Sequence, residues 1–360
     1  MVYKVIGLMS GSSLDGLDIV YTHLEEVRGN WSFRILHSEC IPYPFELEQE
    51  LTRVTQLSLN AFLRLHTRYG RYLGEQVTSF IERNSLHHKV DFIATHGHTV
   101  FHEPANHTTV QIGDGAAIAA ITGRPVISDL RAVDVALGGQ GAPIVPIGDK
   151  LLFSEYDYWL NIGGIANMTV RWQDNFIAFD ICPANQVLNI LASRMGKKYD
   201  AGGDIARSGS LLLDVLSSLN HQEFYNRPAP KSLSNEAAIA LAFPPLSSSE
   251  RLTEDLLRTM VQHIAEQVAR AVKQYPQPKG SRMLITGGGA FNNFLIEQIQ
   301  EQLHPLNVSA EVPDAEVVKF KEALVMALIG ALRWREEPNV MSSVTGAGKD
   351  SIGGALWIVE

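Results

Sequence analysis

Short apolar runs that end at glycine turns alternate with amphipathic segments along this chain. The runs at residues 3–9 and 17–21 are rich in β-branched and aromatic side chains, and they flank a turn of Gly, Ser and Asp. Such a pattern predicts two strands joined as a hairpin. Further strands are predicted at residues 92–95, 125–128, 158–162, 165–170, 176–181 and 283–286.

Apolar residues at helical spacing predict helices at residues 61–81, 253–272 and 322–335. Strands that alternate with helices indicate a layered α/β fold. The strand, glycine turn and second strand of residues 3–21 recur about 150 residues later, which predicts an internal duplication. We interpret residues 137–143, which are rich in glycine, as the crossover between the two halves.

Composition and charge narrow the class of protein. The chain has 360 residues, 45% of them hydrophobic, which is enough for two domains with separate cores. The net charge of −9, without a Lys/Arg-rich block, argues against a nucleic-acid partner. Two distant cysteines exclude a disulfide scaffold. The N-terminus has no signal-peptide pattern, and the apolar stretch at residues 323–334 is too short to span a membrane. We expect a cytoplasmic protein without a membrane partner.

Three glycine turns follow predicted strands, and each is a candidate phosphate site. Glycine lets backbone N–H groups approach an anion closely. The first turn alone is explained equally well as a tight hairpin, and the second alone is more often structural, but three turns at strand ends favour nucleotide binding. None has the spacing of a P-loop. The residues assigned to nucleotide binding are Gly11, Ser12, Ser13, Leu14, Asp15, Gly16, Leu17 and Asp18 in the first turn, Gly163, Gly164 and Asn167 in the second, and Gly287, Gly288, Gly289 and Asn292 in the third.

Three acidic residues carry specific expectations. Asp15 and Asp18 are candidates to position Mg²⁺ through water, because magnesium keeps much of its hydration shell. Asp180 ends the apolar run at residues 176–179, where it is either an N-cap for the next helix or a general base.

Three histidines lie close together at His96, His98 and His102. Their spacing invites a zinc interpretation, but no carboxylate or cysteine stands at ligand spacing beside them, so we assign no metal site. His96 follows a predicted strand, where it is better placed to hydrogen-bond a polar substrate.

Arg131 and Glu322 are further candidates for substrate binding. Arg131 offers a cation to an anionic group, although a surface ion pair with Asp129 or Asp134 is an equal alternative. Glu322 opens an apolar helix, where it either favours the helix dipole or binds sugar hydroxyls.

Nine segments together make the chain resemble the bacterial anhydro-N-acetylmuramic acid kinases over essentially its full length. No single glycine motif is specific, but these segments occur in one order. They are residues 7–16, 95–100, 111–114, 136–143, 161–167, 228–232, 287–289, 321–324 and 344–347.

The resemblance implies a duplicated, actin-like (ribonuclease H-like) α/β fold with ATP between two domains. We place the first domain at residues 1–135 plus 338–360 and the second at residues 136–337. The implied enzyme is an ATP- and Mg²⁺-dependent sugar kinase and a homodimer. It opens the 1,6-anhydro bridge of the muramyl sugar with water, while O6 takes the γ-phosphate. Asp180 would be the base that activates this water, and Thr95, His96, Arg131 and Glu322 would line the sugar pocket.

The sequence departs from the family pattern in several places. Cys182 and Ala184 replace two glycines after Asp180, which is expected to cost about a kcal/mol or more if the backbone there needs either positive φ or close approach to the ligand. His98 replaces a glutamine, residues 233–235 differ from the usual continuation, and Ser12 replaces a threonine while keeping the hydroxyl.

These departures leave two alternatives beside the leading hypothesis. One is a kinase of the same fold that acts on another amino or anhydro sugar. The other is a non-enzymatic, actin-like ATP switch or filament former. The polar residues from Thr95 to Arg131 argue against the switch, which needs no substrate pocket. A Rossmann oxidoreductase is excluded at residues 112–115, because the G-x-G-x-x-G spacing is absent.

Overall fold

The computed structural model describes residues 1–11, 14, 16–173, 175–247 and 251–359. The strands, in chain order, are β1 (Val2–Ser10), β2 (Leu17–Val27), β3 (Asn30–Ile41), β4 (Phe92–Thr95), β5 (His98–Glu103), β6 (Thr108–Ile112), β7 (Val126–Ser128), β8 (Tyr158–Ile162), β9 (Ile165–Trp172), β10 (Asn175–Pro183), β11 (Ser281–Thr286), β12 (Val308–Glu311) and β13 (Ala355–Trp357).

The helices lie between these strands and after β12. They are α1 (Phe45–Thr52), α2 (Leu59–Arg83), α3 (Gly115–Thr122), α4 (Ala132–Ala136), α5 (Pro146–Leu152), α6 (Asn185–Ser193), α7 (Asp204–Ser208), α8 (Leu213–Asn220), α9 (Asn235–Leu246), α10 (Thr253–Gln274), α11 (Asn293–Leu303), α12 (Ala315–Trp334) and α13 (Ser342–Thr345). The strands and helices predicted from the hydrophobic pattern are present at these positions.

The chain divides into two compact units. The first unit comprises Met1–Phe153 and Phe320–Glu360, and the second comprises Ser154–Lys319. The sequence prediction placed the boundaries at residues 135/136 and 337/338. In the structure, residues 136–153 and 320–337 instead belong to the first unit, because α5 and most of α12 pack there.

Five strands follow the same order in the sheets of both units, and β13 adds antiparallel to the edge of the first sheet. In the first unit the order is β3-β2-β1-β4-β7-β13, and in the second it is β10-β9-β8-β11-β12. In each unit the first three strands in sequence pair antiparallel. The first strand also pairs in parallel with a fourth strand (β4 or β11), which in turn pairs in parallel with a fifth (β7 or β12). This repeated order confirms the duplicated, actin-like α/β fold.

Helix α12 packs unusually close to the sheet of the first unit. A Cβ on Gly7 in β1 would lie 2.0 Å from the carbonyl oxygen of Ala323, and a Cβ on Gly330 would lie 2.6 Å from the Cβ of Ala94 in β4. Glycine is required at both positions because the backbones of helix and sheet nearly touch there. The helix begins at Ala315, seven residues before Glu322. The prediction that Glu322 lies in a first helical turn was therefore wrong.

The second unit buries α10 against its sheet. Residues along the whole length of α10, from Leu256 to Val272, join the apolar cluster formed by β8 to β11. This cluster includes Cys182 and Ala184, which are fully buried. In the described part of the chain, no helix is long and apolar enough to cross a membrane.

Candidate functional site

The first glycine turn connects β1 to β2 in the first unit. Ser12, Ser13 and Asp15, which we assigned to nucleotide binding, lie outside the described residues. The backbone N–H of Leu14 donates to the Gly11 carbonyl across 3.3 Å, and the Leu14 side chain packs against the apolar core.

Packing accounts for two more residues assigned to this turn. A Cβ on Gly16 would lie 2.5 Å from the carbonyl oxygen of Ile41 in β3. Leu17 is the first residue of β2, and its side chain is buried in the core. Leu17 is also paired with Ser10 in β1 and with Ile41 in β3, so its place in the sheet accounts for it. Asp18 follows, and it is partly exposed.

His96 directly follows β4, and hydrogen bonds at both ring nitrogens hold its imidazole in the neutral form. Its Nδ1 lies 2.9 Å from the Gly97 carbonyl oxygen, to which only an N–H can donate. Its Nε2 accepts from Nε of Arg131 across 2.8 Å. Burial, followed by the nearby Arg131 charge, lowers the pKa of His96 to about 3. The neighbouring Thr95 is buried, and its hydroxyl accepts from the N–H of Gly97 across 3.1 Å.

Arg131 is held by acceptors that the sequence did not indicate. Besides His96, it donates from Nη1 to the Gly141 carbonyl across 2.7 Å. The predicted alternative of a direct ion pair with Asp134 is not formed, because the Asp134 carboxylate accepts from the Gly141 N–H and the Thr345 hydroxyl, each at 2.7 Å. Burial lowers the pKa of Arg131 to about 10, so the guanidinium keeps its charge at neutral pH.

Asp134 and Gly141 are site-supporting residues that sequence reasoning missed. Asp134 is fully buried, and through Gly141 it fixes the acceptor on which Arg131 rests. The signal in the sequence was weak: an aspartate in an apolar segment shortly before the glycine-rich stretch at residues 137–143.

Glu322 lies on α12 and interacts electrostatically with residues of the same unit. Loss of hydration raises its pKa, and the negative charge of Asp18 raises it further. The positive charges of Arg131 and Lys321 oppose this rise. The structure thus brings Thr95, His96, Arg131, Glu322 and Asp18 together at the strand ends of the first unit.

A row of polar residues crosses the sheet of the second unit. Thr286 of β11 pairs with Asn161 of β8, Asn161 pairs with Asn167 of β9, and Asn167 pairs with Asp180 of β10. Paired residues on neighbouring strands lie side by side on the same face. Asn167 is therefore a neighbour of Asp180 within the sheet rather than part of the glycine turn. Thr286 and Asn161 were not predicted.

Asp180 is held by an extended segment that runs beside β10. Its backbone N–H donates to the Lys231 carbonyl across 2.9 Å, and its Oδ2 accepts from the N–H of Leu233 across 2.7 Å. Burial raises the pKa of Asp180, while the Leu233 hydrogen bond and the Lys231 charge lower it. The helix-cap alternative is wrong, because β10 continues to Pro183 and the N-cap of α6 is Ala184.

The two departures after Asp180 incur no positive-φ cost. Ala184 has φ −138°, and Cys182 is not among the residues with positive φ. Both side chains are buried in the apolar cluster of the second unit, and burial raises the pKa of the Cys182 thiol. The condition of a positive φ is therefore not met at these positions.

The glycines of the second and third turns fall into two groups. At Gly163, Gly164 and Gly288, a Cβ would meet no described atom closer than 3.6 Å, and φ is not positive. Gly287 has φ +82°, and a Cβ on Gly289 would lie 2.3 Å from Cγ2 of Ile162. Packing and backbone conformation thus explain Gly287 and Gly289, whereas a Cβ at each of the other three would make only ordinary van der Waals contacts. Packing within the protein therefore does not require glycine at these three positions, and close approach of a ligand to the backbone is a reason for it.

The third turn continues into α11 through Asn292. The Asn292 side chain accepts from the N–H of Leu295 across 3.0 Å, so it caps the helix. The Asn185 side chain donates to the Ile162 carbonyl across 3.0 Å and lies beside Gly288 and Gly289. Asn185 therefore connects the second turn to the third, a role that we did not predict.

The duplicated fold and the polar groups at its strand ends define an ATP-dependent sugar kinase. A family model described as anhydro-N-acetylmuramic acid kinase matches residues 3–359, and the chain belongs to this family. It is 32% identical to the anhydro-N-acetylmuramic acid kinase of Francisella tularensis subsp. novicida over 95% of each chain. It is 31% identical to that of Haemophilus influenzae, over 95% of this chain and 94% of the relative.

The two groups of glycines predict opposite effects of alanine. Gly164→Ala should change the free energy of unfolding by no more than about 0.5 kcal/mol, yet weaken nucleotide binding because the added Cβ keeps a phosphate from approaching the backbone. Gly289→Ala should destabilise the protein by about 1–3 kcal/mol because it overpacks against Ile162. Urea unfolding and calorimetric titration with a non-hydrolysable ATP analogue measure both quantities. Unchanged nucleotide affinity in Gly164→Ala would contradict the assignment of this turn.

Proposed function

We propose that this protein uses ATP to convert 1,6-anhydro-N-acetylmuramic acid into N-acetylmuramic acid 6-phosphate, in the recycling of cell-wall fragments. The observation that carries the proposal is the environment of Asp180. One carboxylate oxygen is fixed by Leu233, while the described residues provide no hydrogen-bond partner for Oδ1. A carboxylate that is oriented, partly desolvated and open at one oxygen is suited to take a proton from water.

The reaction joins two bond exchanges in sequence. Asp180 accepts a proton from water as the water oxygen bonds to C1 of the sugar. The bond from C1 to O6 breaks, and its electron pair stays on O6. O6 then bonds to the γ-phosphorus as the bond from that phosphorus to the β-γ bridging oxygen breaks, which releases ADP. Asp180 returns its proton to solvent afterwards.

The polar residues of the first unit support recognition of a muramyl sugar. Arg131 is charged, and within the described residues its Nη2 has no hydrogen-bond partner. A guanidinium in this state suits the lactyl carboxylate that distinguishes muramic acid from other amino sugars. Glu322 offers acceptor oxygens to sugar hydroxyls.

ATP and Mg²⁺ complete the proposal. Gly163, Gly164 and Gly288 leave room for phosphates to approach the backbone. Oxygen ligands suit magnesium, and Asp18 is a partly exposed carboxylate next to the first turn, so the residues fit the ion. Asp18 would hold it through water, and the ion would supply positive charge to the β- and γ-phosphate oxygens. A homodimeric state and a cytoplasmic location belong to the proposal on the strength of the family resemblance.

One second candidate function rests on a specific feature. Leu233, which orients Asp180, lies where the sequence departs from the family pattern. The alternative is a kinase of the same fold for another amino or anhydro sugar. ADP release measured across a panel of anhydro and reducing amino sugars separates the two, since the proposal requires that the anhydromuramyl sugar be preferred.

Asp180→Asn tests the catalytic role. Asparagine keeps the acceptor for the Leu233 N–H but cannot take a proton from water. Turnover of the anhydro sugar should fall at least about 100-fold, while calorimetry with the ATP analogue shows unchanged nucleotide affinity. Product formed at near wild-type rates would overturn the assignment of Asp180 as the base.

Lys231→Met tests the electrostatic setting of Asp180. The base must be ionised, so kcat/KM falls as pH decreases through its pKa in the free enzyme. Lys231 lowers that pKa, whereas Cys182 carries no charge at neutral pH because burial raises its pKa. Removal of the Lys231 charge should move the acidic limb of the kcat/KM profile to higher pH, and Lys231→Arg should leave it in place. A limb that does not move in Lys231→Met would contradict this account.

A further inference from the structure

A chain of four hydrogen-bonded side chains is buried behind the first glycine turn. The Tyr69 and Tyr43 hydroxyls are 2.7 Å apart, and the Tyr43 hydroxyl donates to Oγ of Ser10 across 2.8 Å. Ser10 Oγ lies 3.2 Å from Nδ1 of His98. All four residues are at least nine-tenths buried, with exposed fractions of 0%, 8%, 4% and 7% in that order. None of the contacts is needed by the function proposed above.

The direction of this chain follows from counting protons. Each hydroxyl has one hydrogen to donate. Because Tyr43 donates to Ser10, the bond between the two tyrosines has Tyr69 as its donor. Ser10 then has its own hydrogen left, and the acceptor within reach is Nδ1 of His98. When Ser10 donates to it, Nδ1 is unprotonated, and the neutral imidazole carries its hydrogen on Nε2.

Nε2 of His98 is the open end of the chain. Within the described residues it has no hydrogen-bond partner, and it is not shut off from solvent. His98 begins β5, two residues after His96, and the two imidazoles are close enough to interact electrostatically. A donor that is almost entirely buried, has no protein acceptor and still reaches solvent is available to an acceptor on a ligand.

We propose that His98 is a specificity residue whose Nε2–H donates to an oxygen of the sugar substrate, in a tautomer set by the chain from Tyr69 through Tyr43 and Ser10. The inference rests on the proposed function for the identity of that substrate. The sugar is favoured over the nucleotide because His98 adjoins His96, which binds Arg131 directly. Tyr69, Tyr43 and Ser10 are positioning residues that act only through His98.

Substitutions at His98 separate a donor from a space-filling residue. His98→Leu removes the donor, and KM for the sugar should rise about tenfold, as expected for one lost hydrogen bond. His98→Gln should recover most of this loss, because its amide oxygen accepts from Ser10 while its NH₂ donates. Tyr72→Phe is the matched control: the ring stacks on Tyr69, but the chain of hydroxyls does not include it.

The tautomer is measured without turnover. Two-bond ¹H–¹⁵N spectra of the histidine rings, with the His98 signals identified by their loss in His98→Gln, should show Nδ1 unprotonated and Nε2 protonated. Tyr43→Phe should weaken this preference, because Ser10 is then free to turn its hydrogen away from Nδ1. Tyr72→Phe should leave the spectrum unchanged.

The outcomes distinguish this inference from the proposed function. If the wild-type protein phosphorylates no anhydro sugar, the function fails, whereas the ring spectra still test the chain. If the wild type is active and His98→Leu leaves KM for the sugar unchanged, or raises KM for ATP alone, the specificity role is overturned. A protonated Nδ1 in the spectra overturns the positioning role of Tyr43.

Discussion

The close approach of α12 to the sheet of the first unit is the constraint on which the substrate side depends. Gly7 and Gly330 let backbone atoms come within distances that no side chain permits. The helix then places Glu322 within electrostatic reach of Arg131 and Asp18. One residue earlier, Lys321 forms a buried ion pair of 2.6 Å with Asp149 of α5. Breaking such a pair leaves an uncompensated charge, so it holds this end of the helix in one position.

The two units use one topology for different chemistry. In the first unit, the strand ends present His96, Arg131 and Glu322, which are suited to bind polar and anionic groups. In the second, the corresponding sheet edge presents Asp180, which is suited to take a proton. A segment without regular structure, at residues 231–233, supplies the hydrogen bonds that orient Asp180. Duplication thus accounts for the topology that the two units share, and the segments that follow the strands account for the different side chains that each unit presents.

The sequence predicted the strands, the long helices and the duplication because hydrophobic periodicity records which faces are buried. It failed for Glu322, because the first turns of α12, from Ala315 with Val317 and Val318 after the capping Asp314, were not recognised as part of the same helix. It also missed Asp134, Asn161 and Asn185, whose roles depend on contacts between segments far apart in the chain. The glycines illustrate the same limit. Gly164 and Gly289 look alike in sequence, yet the structure leaves space beside one and none beside the other.

The coupling of water attack at C1 to phosphoryl transfer at O6 is the central claim. The most direct test is a single turnover of the anhydro sugar with ATP in H₂¹⁸O, quenched quickly and analysed by mass spectrometry. A parallel incubation of unlabelled product in H₂¹⁸O corrects for exchange at C1. The account predicts one ¹⁸O at C1 of the sugar phosphate and none in its phosphate group. A sugar phosphate without ¹⁸O, or ¹⁸O found only in inorganic phosphate, would contradict it.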